Sequence, residues 1–324
     1  VLVVPAEWGP RLIETYNSTS NEYVTIKYGK DPVENPHRFN YYNISDSPPE
    51  SPETYKIISI LSDQRKYLIS TASKAISHNI QQDIPSIVEY AKKYPGMLAV
   101  IFEPEYAGMK TAISKYLTMK KIEYTFVPYD SCLHINNFFI VESFRGTLQS
   151  MRDSLEFIEY TVGVVDEEKS PNRKVYVSRS KTEKKYYRKD GELITLDKRI
   201  DDEYILENFF KSHGYEIVSP EDFSNIQEQM SYFRDVRVLI GLSGGGLTNH
   251  MFMQNGQTVV ELATQIKPGY IPGVSKEETR SYHMEYIAMS YVKHHTYIVM
   301  PHNETAVDIL RKFVDNSSLR GLLD

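Results

Sequence analysis

The chain has 324 residues, 41% of them apolar, which is enough for a substantial core and, from length alone, suggests two domains. A net charge of −6 offers no basic stripe for non-specific nucleic-acid binding, and no apolar run reaches the roughly 18 residues of a membrane-spanning helix. A single cysteine, Cys132, excludes an internal disulfide and fits a reducing compartment. The opening Val1-Leu-Val-Val-Pro5 is too short for a signal peptide. The cytoplasm is therefore the expected compartment, with the secretory lumen as the alternative if a targeting segment has been removed. Sequons at Asn17, Asn43, Asn303 and Asn316 carry little weight in a chain rich in Asn and Ser. The 25 tyrosines could stack on sugars, but core and surface packing accounts for most of them.

Residues 1–54 read as an irregular arm, because Asp31-Pro, Asn35-Pro and Ser47-Pro-Pro-Glu-Ser-Pro52 are turn and loop text. Tyr55–Ile60 and Tyr67–Ser70 look like strands. Ile84–Lys93 is a helix with Ile84, Ile87, Val88 and Ala91 on one face. Met97–Phe102 is a strand, Tyr106–Met119 a helix, Ile122–Pro128 a strand and Leu133–Glu142 another. Gly146–Tyr160 is a helix. This alternation makes residues 55–165 a first α/β domain with a mainly parallel sheet.

The charged stretch Asp166–Arg173 reads as the domain boundary, and residues 166–302 repeat the alternation. Lys174–Ser178 is a strand and Arg179–Thr195 an exposed loop. Asp201–His213 is a helix, with acids in its first turn and Gly214 as its stop. Tyr215–Val218 is a strand, Ser224–Asp235 a helix, Val236–Ile240 a strand, Leu247–Gln254 a helix, and Thr258–Leu262 and Thr296–Met300 strands. Residues 303–324 hold a last helix, Asn303–Leu319, able to cross back to the first domain. The expected architecture is two Rossmann-like domains facing a cleft, where a ligand would sit at the carboxyl ends of the strands.

The most informative stretch is Val238-Leu-Ile-Gly-Leu-Ser-Gly-Gly-Gly-Leu-Thr-Asn249. A strand that breaks into glycines and then starts a helix offers free N–H groups to an anion, and glycine allows close approach. The bland alternative is a tight turn with no ligand. Gly241-x-x-Gly244-x-Gly246 is neither the dinucleotide fingerprint nor a Walker loop. Glu261, near a strand end, suits a ribose hydroxyl or is a surface carboxylate. Arg179, just past a strand, suits a phosphate or is a solvated arginine. His78 and Asp83 could be a base and its partner. Alternatively, Asp83 caps a helix whose start Pro85 delays, and His78 is a surface histidine. No metal-ligand pattern, Gly-x-Ser-x-Gly elbow or cysteine-nucleophile signature occurs.

Taken together, the second-half motifs run Lys174-Val-Tyr-Val-Ser-Arg179, Lys198-Arg-Ile-Asp-Asp-Glu203, His213-Gly-Tyr-Glu-Ile-Val218, Gln229, the glycine loop through Asn249, Met251-Phe-Met253 and Val259-Val-Glu-Leu262. This order and spacing resembles glycosyltransferase family 61. The first-half His78…Asp83-x-Pro85 is similar to that family's His-Trp-x-x-Asp-x-x-Pro region, and the resemblance spans roughly residues 65–300. It implies a GT-B-like α/β fold. It also implies an inverting transferase that moves xylose, N-acetylglucosamine or arabinose from a UDP-sugar to a glycan or glycoprotein hydroxyl, with no permanent cofactor and no required metal. On this reading Arg179, Arg199 and the loop Ser243, Gly244, Gly245, Gly246, Thr248 and Asn249 form the donor site. Glu261 meets the ribose or sits beneath it. His78 and Asp83 serve catalysis from the acceptor side.

The chain departs from the family pattern at Ser243, where a histidine is usual, at Gly245, where alanine is usual, and at Asp202, where asparagine is usual. Ser243 keeps open a non-catalytic sugar-nucleotide or glycan-binding protein. A nicotinamide-dependent oxidoreductase and a ligand-free scaffold are the remaining alternatives.

Overall fold

The computed structural model describes residues 2–4, 11–17, 22–26, 56–60, 67–69, 76, 79–128, 131–135, 138–140, 148–163, 170–181, 185–187, 193–195, 200, 202–264, 283–302 and 305–323. The chain forms two compact units, Val1–Phe144 with Arg188–Glu192, and Arg145–Tyr187 with Leu193–Asp324. Both are α/β with parallel-strand sheets, as the alternation of elements implies.

In the first unit, β1 (Leu2–Val4), β2 (Arg11–Asn17), β3 (Glu22–Ile26), β4 (Lys56–Ile60) and β8 (Ser131–Ile135) form a mixed sheet in the order β3-β2-β1-β8-β4. The reading of residues 1–54 as an irregular arm is corrected here. Leu12-Ile13 and Tyr23-Val-Thr-Ile26 have the β-branched and aromatic content of strands, which the prolines further on obscure. A second sheet holds β5 (Tyr67–Ile69), β6 (Leu98–Phe102), β7 (Tyr124–Val127) and β9 (Phe138–Ile140), all parallel, in the order β7-β6-β5-β9. The segment read as one strand, Leu133–Glu142, is thus divided between two sheets.

Two helices, α1 (Ile84–Lys93) and α2 (Met109–Met119), connect β5 to β6 and β6 to β7. A π-helical turn, Asn79–Asp83, precedes α1. Pro85 has no N–H to continue the i→i−4 ladder, and the chain meets it with this wider turn rather than with a break. Ile84 is therefore helical despite the proline after it. Asp83 is also helical, at φ −67° and ψ −51°, and makes no capping hydrogen bond.

The second unit begins with α3 (Leu148–Val162), which packs on α5 (Ile226–Arg234) and α6 (His283–Val292). The change of unit thus falls ahead of α3, not in the charged stretch 166–173. The sheet contains β10 (Arg173–Val177), β13 (Glu216–Val218), β14 (Val236–Leu242), β15 (Thr258–Thr264) and β16 (Thr296–His302), all parallel, in the order β13-β10-β14-β15-β16. A small hairpin, β11 (Lys185–Tyr187) and β12 (Leu193–Thr195), occupies part of the stretch expected to be loop. In sheet order, the first strand has the second on one side and the third on the other. The connections leaving β10 and β14 therefore diverge, which opens a crevice at their carboxyl ends.

One face of this sheet packs against α4 (Glu203–Ser212) and α7 (Ala306–Asp315). Phe210 is the hub. Its ring stacks on Tyr176 with centroids 5.0 Å apart and meets Phe313 and Tyr215 edge-on, each at 5.3 Å. The C-terminal segment belongs to this unit: Ala306, Ile309 and Phe313 lie along one stripe of α7 and are buried in its core. The expected single helix is two: Asn316 ends α7, and its side chain accepts the N–H groups of Ser318 and Leu319 to start α8 (Ser317–Arg320). Asp202 has a related role at a distance, its carboxylate accepting the Ala306 N–H at 3.1 Å to secure the start of α7. Replacing Phe210 by Ala should cost about 3–5 kcal/mol in urea denaturation, because it removes a fully buried ring at the centre of these contacts.

Candidate functional site: the glycine loop at the carboxyl ends of the strands

Two segments leave the carboxyl ends of β10 and β14 side by side. The first is Ser178-Arg179-Ser180. The second is Ser243–Gly246, followed by a 3-10 helix, Leu247–Phe252. The sequence suggests an α-helix at this point. Side chains win the loop's carbonyls instead: Thr248 Oγ1 donates to Gly245 O, and Asn249 Nδ2 donates to Gly246 O at 2.7 Å. Such local side-chain bonds compete with the α-helical ladder. The site therefore owes little to a helix macrodipole and depends on the loop's own backbone.

That backbone is asymmetric. Each of its four carbonyls is held by protein. Ser243 O accepts from Arg179 Nη1 at 3.2 Å, and Gly244 O from the Tyr286 hydroxyl at 3.0 Å and the Leu247 N–H at 3.0 Å. Gly245 O accepts from Thr248, and Gly246 O from the amide and backbone N–H of Asn249. Among the described residues, the N–H groups of Gly244, Gly245 and Gly246 donate no hydrogen bond. A run of N–H groups free of partners, with every carbonyl tied back, favours an anion. Gly244 has φ 140°, which only glycine adopts readily.

The glycines are not equivalent. A Cβ on Gly246 would lie 2.6 Å from Val177 Cγ1, so that glycine is required by packing against β10. A Cβ on Gly245 would meet no atom within 4 Å. Nothing in the fold requires a bare backbone at Gly245, and its exposed position leaves the space above it open to a ligand.

The named polar side chains mostly support the loop rather than face outward. Asn249 is buried, and its Oδ1 accepts from Gln229 Nε2 of α5 at 2.5 Å. Ser243 is buried, and its hydroxyl donates to Glu261 Oε1 at 2.5 Å. Glu261 is fully buried, and its Oε2 accepts from the Tyr297 hydroxyl. Glu261 therefore lies beneath the loop, with a hydroxyl on each carboxylate oxygen. Burial and the adjacent Glu261 push the Tyr297 phenol well above its ordinary pKa, so it stays a donor.

Under the loop, the fully buried His250 ring meets Tyr286 and Tyr297 edge-on, at 5.7 and 6.3 Å between centroids. Behind it, His295 Nδ1 accepts the Gln257 N–H at 3.1 Å, which leaves Nε2 to donate to His250 O at 3.2 Å. Burial, with Lys293 nearby, pushes His295 down to about 4 and keeps it neutral in this tautomer.

Arg179 is held by its main chain. Its N–H donates to Glu203 Oε1 at 3.0 Å, and the same oxygen takes the Tyr176 hydroxyl at 3.1 Å. The Ser178 hydroxyl donates to Glu207 at 2.5 Å. Among the described residues, the bond from Nη1 to Ser243 O is the one hydrogen bond the Arg179 guanidinium makes, so its other terminal N–H groups remain as donors. Burial is the main cause that raises the Glu203 pKa, against the lowering effect of the Arg179 N–H.

The structure thus brings together Arg179, Ser243, Gly244, Gly245, Gly246, Thr248, Asn249 and Glu261. Asp83 lies in the first unit, buried at the start of α1. His78 and Arg199 lie outside the described residues. Tyr286 and Tyr297 belong to this constellation but carry no local motif, since their partners lie on other elements; Glu203 closes the motif Lys198-Arg-Ile-Asp-Asp-Glu203, whose sequence does not disclose its bond to the Arg179 N–H.

These features define an α/β protein with an anion-ready loop at a topological switch point. The glycosyltransferase 61 family model matches residues 20–260, and the chain belongs to that family. A search of the curated proteins found no match. The protein is accordingly a glycosyltransferase, and its substrates are a sugar donor and an acceptor.

Two outcomes are expected. Gly246→Ala should lose about 1–3 kcal/mol of stability through its clash with Val177, while Gly245→Ala should melt within about 1 °C of wild type in a thermal scan. Glu203 has a raised folded-state pKa, so its contribution to stability is full below about 4.5 and is lost as pH rises through the folded value. Urea midpoints measured across pH should therefore move in favour of Glu203→Gln as pH rises above 4.5.

Proposed function

We propose that this glycosyltransferase is an inverting enzyme of GT-B-like architecture that uses a UDP-sugar, and that its loop Gly244–Gly246 receives the donor diphosphate. The observation that carries this reading is the loop's asymmetry, with its carbonyls bound and its N–H groups without a partner among the described residues, beside a guanidinium that gives one bond, from Nη1, to the loop. N–H groups fixed in place suit the charge that develops on a leaving diphosphate, and they need no reorganisation as it forms.

The reaction is a single displacement. The acceptor hydroxyl attacks the anomeric carbon from the face opposite UDP and loses its proton to His78 or Asp83. The bond between the anomeric carbon and the diphosphate oxygen breaks, and UDP leaves with the electron pair. Arg179, Arg199 and the loop N–H groups take up its charge. Glu261 and Asn249 act from below, by holding the loop. The transferred sugar is of the xylose, N-acetylglucosamine or arabinose class, and the acceptor is a glycan or glycoprotein hydroxyl. No permanent cofactor is part of this scheme. The cytoplasm, or the secretory lumen if a targeting segment precedes the chain, is the proposed compartment.

A sugar-nucleotide-binding protein without turnover is the second reading. It is favoured by one observation: the Ser243 hydroxyl is turned inward to Glu261, so the loop presents no cationic side chain of its own. One assay separates the two. Wild-type protein given UDP-sugars and mixed glycan acceptors should release UDP, and Arg179→Ala should lower kcat/KM by about 10²–10³. UDP binding without turnover would select the second reading, and unchanged turnover in Arg179→Ala would remove the diphosphate role from that residue.

A further inference from the structure

Ser243 is a junction. Its N–H donates to Leu262 O at 3.1 Å, its carbonyl accepts from Arg179, and its hydroxyl donates to Glu261. Glu261 has no exposure, and its other oxygen takes the Tyr297 hydroxyl from the neighbouring strand β16. Register explains the meeting: Glu261 is opposite Val299 on β16, and Tyr297, two residues earlier, shares the face of Val299. A buried carboxylate in low-dielectric surroundings needs its donors, and here they include two hydroxyls, from a loop residue and from an edge strand. The orientation of Ser243 therefore depends on Tyr297, and the carbonyl that engages Arg179 depends on Ser243.

We infer that Tyr297 is a positioning residue of the donor site, acting through Glu261 and Ser243 on the glycine loop and on Arg179. The inference rests on the proposed diphosphate role of that loop. Tyr297 touches no donor atom in this scheme. It fixes the direction of the loop's N–H groups before the donor arrives, which lowers the ordering cost of binding. The substitution of serine for the usual histidine makes the link possible, since the Ser243 hydroxyl is short enough to turn down onto Glu261.

The test is calorimetric titration of the whole protein with UDP, for wild type, Tyr297→Phe, Ser243→Ala, the double variant and Arg179→Ala. Phenylalanine retains the ring contact with His250 and removes only the hydroxyl. Tyr297→Phe is expected to weaken UDP about tenfold, to raise donor KM more than it lowers kcat, and to melt as a folded protein. The double variant should bind no worse than the weaker single variant, because both substitutions cut the same link. Additive losses are the expectation for two independent sites, and they would overturn the inference.

Wild-type affinity in Tyr297→Phe, with Arg179→Ala weakened, would also overturn the inference and leave the diphosphate site standing. Failure of the wild type to bind UDP would remove the proposed site and this inference with it. If Tyr297→Phe does not fold, Ser243→Ala alone decides: a tenfold loss supports the link and unchanged affinity refutes it.

Discussion

A loop made of glycines cannot hold itself, and the whole second unit is arranged around that constraint. Ser243–Gly246 has one short side chain, yet all four of its carbonyls are bound: by Arg179 from just past β10, by Tyr286 from α6, and by Leu247, Thr248 and Asn249 from the turn that follows. The strands set this up. Parallel pairing of β10 with β14 brings Val177 against Gly246 so closely that a methyl group would not fit. Pairing of β14 with β15 and of β15 with β16 sets Glu261 and Tyr297 beneath the loop. Packing, register and hydrogen bonding thus converge on one result, a rigid backbone whose unpaired groups are all donors.

The electrostatics follow from that arrangement. Glu203 holds Arg179 by its backbone N–H, and only one guanidinium bond goes to the loop. The arginine is therefore fixed in position without being saturated. Below the loop the two imidazoles are kept neutral by burial: His250 is pushed well below its ordinary pKa, and His295 is pushed down to about 4. Departures from the family pattern fit the same picture. Asp202 anchors α7, Ser243 joins Glu261, and Gly245 adds open space above the backbone.

Much of this was legible in the sequence where chemistry and periodicity coincide. The strand before the glycine loop, the helix Glu203–Ser212 and the strand bearing Glu261 follow from apolar runs bounded by glycine and acids. The α/β class and the parallel sheets follow from their alternation. Other features depend on distant partners. Tyr297 is one alternating residue in a strand, and only the pairing of β15 with β16 reveals what it meets. Asp202 reads as a helix-start acid, yet it secures a helix that begins at Ala306. Helix His283–Val292 escaped because its apolar residues run nearly round it, without a clear stripe. The short form of the helix after the loop depends on Thr248 and Asn249 competing for carbonyls, which composition alone does not decide.

The central claim is geometric: the donor diphosphate lies on the N–H groups of Gly244–Gly246 beside Arg179. A crystal structure of the protein with UDP tests it most directly. The account predicts phosphate oxygens within about 2.7–3.2 Å of at least two of those nitrogens and of the Arg179 guanidinium, with the loop unmoved. UDP bound elsewhere, with the three N–H groups still without a partner, would contradict it.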